Sequence, residues 1–149
     1  MGWASCRGGA DRKASCAMAT ISNLSLEALP ARLAIVRLPP AAGVPSLPLS
    51  GDFLSLTITP DEISIVCPED AAPAEGAAVA AGWRAFRVLG ELDFALIGIM
   101  AALTTTLAEA GVSVFAISTY NTDYLLVKAD AFVQAVAALR AAGHKVSGA

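Results

Sequence analysis

From position 25 onward, the hydrophobic positions fall into two rhythms. A period of two, in which neighbouring side chains point to opposite faces, marks strands. Ala31 to Leu38 (ARLAIVRL) is one such run, closed by Pro39-Pro40. Ser25 to Leu29, just before it, is predicted to form a short helical turn. Phe53 to Thr59 (FLSLTIT) alternates apolar and hydroxyl residues, and Glu62 to Cys67 (EISIVC) follows after Pro60-Asp61, so the two are predicted to pair as a hairpin. Between these strands, Ala41 to Gly51 holds the breakers Gly43, Pro45 and Pro48 and reads as a loop. The Ala/Pro/Gly-rich, acidic stretch Pro68 to Gly82 reads the same way.

In the second half the strand rhythm returns at Trp83 to Leu89 (WRAFRVL) and then gives way to a period near 3.6. Ile97, Met100, Leu103 and Leu107, with Ala101 and Ala108, recur at three- and four-residue spacing on one helix face. Asp93 is a candidate N-cap, and Gly111 is placed for a left-handed residue just past the helix end. Val112 to Thr119 (VSVFAIST) is a strand rich in β-branched residues. Tyr120 to Thr122 turn the chain, and Asp123 to Lys128 (DYLLVK) return antiparallel. A last helix, Ala131 to Ala142, is expected to be capped by Asp130 and to bury Phe132, Val133, Val136 and Leu139. Gly143 stops it, and His144 to Val146 form a final short strand.

The order from Trp83 is therefore β-α-β-β-α-β. This is the ferredoxin-like split unit, an α+β fold in which both helices cover one face of a four-stranded antiparallel sheet. The first half supplies strands with loops where helices would stand, a reduced version of the same plan. The expected division is a disordered leader at 1–24, a reduced unit at 25–82 and a full unit at 83–149.

Composition narrows the functions open to this fold. The chain has 149 residues, 56% hydrophobic and 15% charged, with a net charge of −3. No block of Lys or Arg offers a basic face to phosphates, which argues against a nucleic-acid partner. Phe94 to Leu107, the most apolar stretch, falls short of the roughly 20 residues a membrane helix needs and carries three threonines. Met1 to Ala17 has no continuous apolar segment of the signal-peptide kind, so a cytoplasmic location is expected. Cys6, Cys16 and Cys67 match neither zinc-site nor CxxC spacing, and reduced thiols are expected. No cofactor motif is present. The single histidine, His144, reads as a surface residue at a helix end, away from any nucleophile motif, and a binding protein is expected rather than an enzyme.

At Ala110 to Val127 (AGVSVFAISTYNTDYLLV) the sequence resembles the ACT-domain family. The wider run from Gly82 to Phe132, with DEISIVCPE at Asp61 to Glu69, resembles bacterial tandem-ACT proteins related to the CASTOR-type arginine sensors of animals. The resemblance implies a regulatory amino-acid sensor, arginine being one candidate ligand, with the site at an ACT–ACT interface. It makes the first half a reduced ACT-like unit. Because the arginine sensors carry four ACT units in one chain, it also implies a homodimer with sites shared between subunits. Asp93, Gly98 and Ile99 would contribute from around the helix start, Ser113 and Val114 from the strand start, and Thr119 and Asp123 from the STYNTDY run. A helix N-terminus suits a ligand carboxylate, and Asp123 suits an amino group. Read from residue type alone, Asp123 is equally a turn residue, Gly98 a packing glycine, Ser113 a surface hydroxyl and Asp93 an N-cap. A ligand-free dimerisation module, or a subunit docking to a biosynthetic enzyme, is the alternative.

Overall fold

The computed structural model describes residues 23–47, 51–73, 76–90 and 98–149. Eight strands form one mixed sheet, with two α-helices among the described residues. The strands are β1 (Ser25–Ala28), β2 (Leu33–Leu38), β3 (Ser55–Ile58), β4 (Ile63–Pro68), β5 (Ala78–Val88), β6 (Val114–Ser118), β7 (Asp123–Lys128) and β8 (Lys145–Ser147); the helices are α1 (Ile99–Glu109) and α2 (Phe132–Ala141). The expected α+β, ferredoxin-like class is the class observed.

The long strand β5 organises the molecule. Its first part pairs with β2, which continues through β4 to β3, the predicted hairpin. Its second part pairs with β7, and β7 with β6. The segment expected to be helical at Ser25 is a strand instead. β1 lies between β5 and β8, antiparallel to the first (Leu26 opposite Val88) and parallel to the second (Leu26 opposite Val146). Tertiary pairing on both edges overrides the local propensity of SLEAL. It buries Leu26 and Ala28 on one face and Leu29 on the other. The second half's sheet is thus wider than the four-stranded plan and includes one parallel pair.

Both helices cover one face of this sheet. Ile99, Leu103, Leu107, Phe132, Ala135 and Leu139 meet Leu26, Phe86, Val88, Leu125, Val127 and Val146 in the largest core cluster. Phe86 and Phe132 stack with ring centres 5.0 Å apart, and the Arg84 guanidinium lies 4.1 Å from the Phe132 ring centre. Two details of the helix pattern differ from expectation. Val133 is 78% exposed, its place in the stripe taken by Ala135. Asp130 lies in a 3-10 turn, Ala129–Ala131, and makes no side-chain cap bond to α2.

Both helices end alike. Gly111 N–H donates to the Ala108 carbonyl and Val112 N–H to Leu107, while Gly143 donates to Arg140 and His144 to Leu139. These paired bonds, with Gly111 at φ 71° and Gly143 at φ 90°, are Schellman motifs. The second residue after such a helix end packs back on the last turn. Val112 and His144 occupy that place, so His144 is buried at 5% exposure rather than lying on the surface.

The opposite face of the second half's sheet is largely covered. Ala85, Leu126, Phe115, Ile117, Trp83 and Tyr124 pack against Leu29, Leu33, Phe53 and Val66 from the first half. The outer face of β2 and β4 forms a third cluster, Ala34, Val36, Leu38, Ile63, Ile65 and Cys67, covered by Leu47, Leu54, Ala72 and Ala77. Strand β5 starts five residues before the expected Trp83. Its register against β2 slips between Leu33, opposite Trp83, and Ile35, opposite Ala80. Gly82, at φ 77°, supplies the left-handed residue of this bulge.

Candidate functional site

The residues singled out by resemblance fall at two ends of the helix-covered sheet. α1 is joined to β6 by a tight turn, so it runs antiparallel to that strand. Its N-terminus therefore opens at the end where β5 leaves the sheet, β6 finishes and β7 begins. Gly98 stands at that N-terminus with φ 91°, and its carbonyl accepts the first helical hydrogen bond, from Ala102 N–H at 2.9 Å. Among the described residues no side chain caps the helix. Ile99 is 5% exposed within the main core, so only its backbone is open to a ligand.

Asp123 starts β7 at the same end, directly opposite Ser118. It shares the helix-facing side with Leu125 and Val127, since side chains alternate along a strand. Its Oδ1 accepts a hydrogen bond from Ser118 Oγ at 2.6 Å. Thr119 closes the turn: its N–H and Oγ1 both donate to the Thr122 carbonyl, and Oγ1 accepts from Thr122 N–H. Thr122 Oγ1 in turn donates to the Val88 carbonyl, tying the turn to β5. Gly98, Ile99, Thr119 and Asp123 thus share one end of the molecule. Asp93 lies outside the described residues.

Ser113 and Val114 lie at the other end of β6. The five steps from Ser113 to Ser118, at roughly 3.3 Å each, set Ser113 about 16 Å from Asp123, and the four from Val114 set it about 13 Å away. Ser113 is exposed, and Val114 pairs with Val127. β6 has a partner only in β7 among the described residues, so alternate backbone groups along it face outward. Ser118 and Thr122 were not singled out by the sequence reading, although both lie in the same STYNTDY run. The bond each makes depends on pairing with β7 and β5.

Two other titratable groups are buried. The Cys67 thiol is raised above its ordinary range by burial, with Asp70 nearby adding to the effect, which keeps it protonated and unreactive. Burial lowers the pKa of His144, and its Nδ1 has no hydrogen-bond partner among the described residues. Among the described residues no group of three or more His, Cys, Asp or Glu could hold a metal ion, and no helix is long and apolar enough to cross a membrane.

The helix-covered sheet, with both helices on one side and Gly-terminated by Schellman motifs, defines a ferredoxin-like α+β domain. Residues 78–141 match the family model described as an ACT domain. A second model, of an N-terminal domain, matches residues 32–75. A solved structural-genomics target from Agrobacterium tumefaciens is 32% identical, with TM-score 0.77 over 83% of this chain and 92% of its own. Residues 78–141 therefore carry an ACT domain, and the chain is similar over most of its length to the Agrobacterium protein. A Vibrio cholerae protein of unknown function shares the fold at 23% identity (TM-score 0.61; 81% of this chain, 91% of that one). So does the ligand-free regulatory subunit of aspartate kinase from Thermus thermophilus at 11% identity (TM-score 0.56; 78% and 95%). No functionally curated protein matches the sequence.

Proposed function

We propose that this chain is a regulatory protein that binds an amino acid and acts through binding rather than chemistry, in the cytoplasm, as a homodimer. The observation that carries the reading is the grouping of Asp123, Thr119 and Gly98 at the open N-terminal end of α1. There the first turn of the helix offers N–H groups that have no intrahelical partner to a carboxylate, and Asp123 offers an acceptor to an amino group. The relation to CASTOR-type sensors, and arginine as a ligand, belong to this reading. Within one chain Ser113 and Val114 are too far from Asp123 to touch the same amino acid. A ligand that contacts both is shared between two ACT units, one from each copy.

One observation favours a second reading, a ligand-free dimerisation module or a subunit docking to a biosynthetic enzyme: the Asp123 carboxylate is already held by Ser118. A thermal-shift screen of the full chain against the twenty amino acids separates the two. A ligand at a hundred times its Kd stabilises the folded state by about 2.7 kcal/mol, a rise of several degrees in Tm. No shift with any amino acid at millimolar concentration overturns the sensor reading.

A further inference from the structure

The bulge at Gly82 has a second consequence. Below it, Ala78 and Ala80 share the Ile35 and Val66 face of the first half's sheet, and two cross-strand rows run across that side. Ala78, Arg37, Ser64 and Thr57 form one row, and Ala80, Ile35, Val66 and Ser55 the other. Five of these eight side chains are Ala, Ser or Thr. Interiors are close-packed, and small residues facing an opposing wall leave room there. The opposing wall is Phe115 on β6. Between them lies a cleft of about 380 Å³, which shares Ser64 and Phe115 with a neighbouring recess of about 260 Å³. The recess is hydroxyl-lined by Ser55, Thr57 and Ser64, and residues 115–118 of the open β6 edge close it.

Charge at the rim of this cleft has no partner among the described residues. Arg37 and Glu62 both line it. Arg37 stands opposite Ser64, so Glu62 is its diagonal neighbour on the same face, at a Cα spacing of about 7–8 Å. The two form no ion pair, and neither side chain makes a hydrogen bond to another described residue. The chain's described ion pairs, Arg32–Glu69 and Arg87–Glu27, lie elsewhere. A guanidinium and a carboxylate held apart over an apolar floor present complementary charges to one small molecule that carries both signs.

We infer that this cleft is a second binding site, complete within one chain, for a small zwitterion with a short apolar body. Arg37 takes the carboxylate, Glu62 the ammonium, and the apolar part lies between Ile35 and Phe115. The site differs from the Asp123 end of the molecule in position, in residues and in needing no second copy. It rests on the reading of the chain as a small-molecule binder, but not on where that reading places its ligand.

Calorimetric titration of the full chain with L-alanine, L-valine and L-leucine tests the inference. For the tightest binder, the matched carboxylic acid without the amine and the matched amine without the carboxylate are titrated as well. Binding by at least one of the three is expected, with each one-charge analogue at least tenfold weaker. Arg37→Gln and Glu62→Gln, at residues that bury no core surface, each lower the affinity tenfold or more, while Asp123→Asn leaves it unchanged. Binding lost in Asp123→Asn and kept in both cleft variants overturns this site and leaves the proposed function standing. Analogues that bind as well as the parent overturn the zwitterion, and no binding by any of the three overturns the inference.

Discussion

In the second half of the chain, two helices lay Ile99, Leu103, Leu107, Phe132, Ala135 and Leu139 over the sheet. In the first half the outer face of β2 and β4 is covered by Leu47, Leu54, Ala72 and Ala77 from the connecting chain. A helix satisfies its own backbone, so it can bring a continuous apolar stripe onto a sheet. Connecting chain must keep most of its polar backbone near water and brings fewer, smaller side chains. The first half, with no α-helix among its described residues, therefore relies on its other face. Leu33, Phe53 and Val66 are buried against Ala85 and Leu126 of the second half, and β1 is given to the second half's sheet in turn. Neither half closes its core alone, and the space left between them is the Arg37–Phe115 cleft.

If that comparison is right, a first-half residue matters to the second half as much as one of its own. Leu26→Ala is expected to lower the stability of the whole chain by about 2–5 kcal/mol, as Leu125→Ala would, measured by denaturant unfolding. A Leu26→Ala variant within 0.5 kcal/mol of the parent would break the comparison. Gly82→Ala puts a side chain at φ 77° in the bulge joining the halves and is expected to cost about 1–3 kcal/mol. The cleft should be altered with it, so loss of zwitterion binding is expected to accompany the loss of stability. Retained affinity would show that the bulge does not shape the cleft.

The two helix ends sharpen the comparison through pH. His144 holds a folded-state pKa below its ordinary 6.5 because burial disfavours the imidazolium. The folded state therefore binds fewer protons than the unfolded one. Its contribution is complete above about pH 6.5 and is lost as the pH falls toward the lowered value. Val112 fills the matching place after α1, so His144→Val is expected to flatten the stability profile between pH 7 and 5. A variant that loses stability with acid as steeply as the parent would assign that loss to other groups. The smallest effect lies at the Arg87–Glu27 pair, 2.8 Å apart and joining β5 to β1, with both side chains over 40% exposed. Glu27→Gln is expected to change stability by less than about 1 kcal/mol, because solvent and salt screen such pairs. A larger loss in a double-mutant cycle with Arg87→Gln would make this contact a genuine clasp between the halves.

Local signals made the second half legible. Gly111 and Gly143 sit at the helix ends their spacing predicts, and VSVFAIST and DYLLVK pair in the predicted hairpin because both carry a strand period. What escaped was set by pairing rather than by local pattern. SLEAL has helix-forming residues but fills a slot between two strands. Ala78 to Gly82 has a strand-poor composition and becomes a strand because β2 is alongside. His144 is polar yet buried, because the Schellman geometry fixes where its side chain goes. At the candidate site, the STYNTDY run drew attention to Asp123 and Thr119, which share one end of the sheet with Gly98. The 16 Å separating Ser113 from them follows from strand direction, which no motif encodes.

The central claim is that the two halves form one structural body. Hydrogen exchange of the full chain in rising denaturant, read peptide by peptide, tests it directly, because cooperative units open together with a common free energy. Peptides from β2 and β4 are predicted to converge on the same opening free energy and denaturant dependence as those from β7 and α2. Exchange of the β2 and β4 peptides through a lower-energy opening, with β7 and α2 still protected, would contradict it.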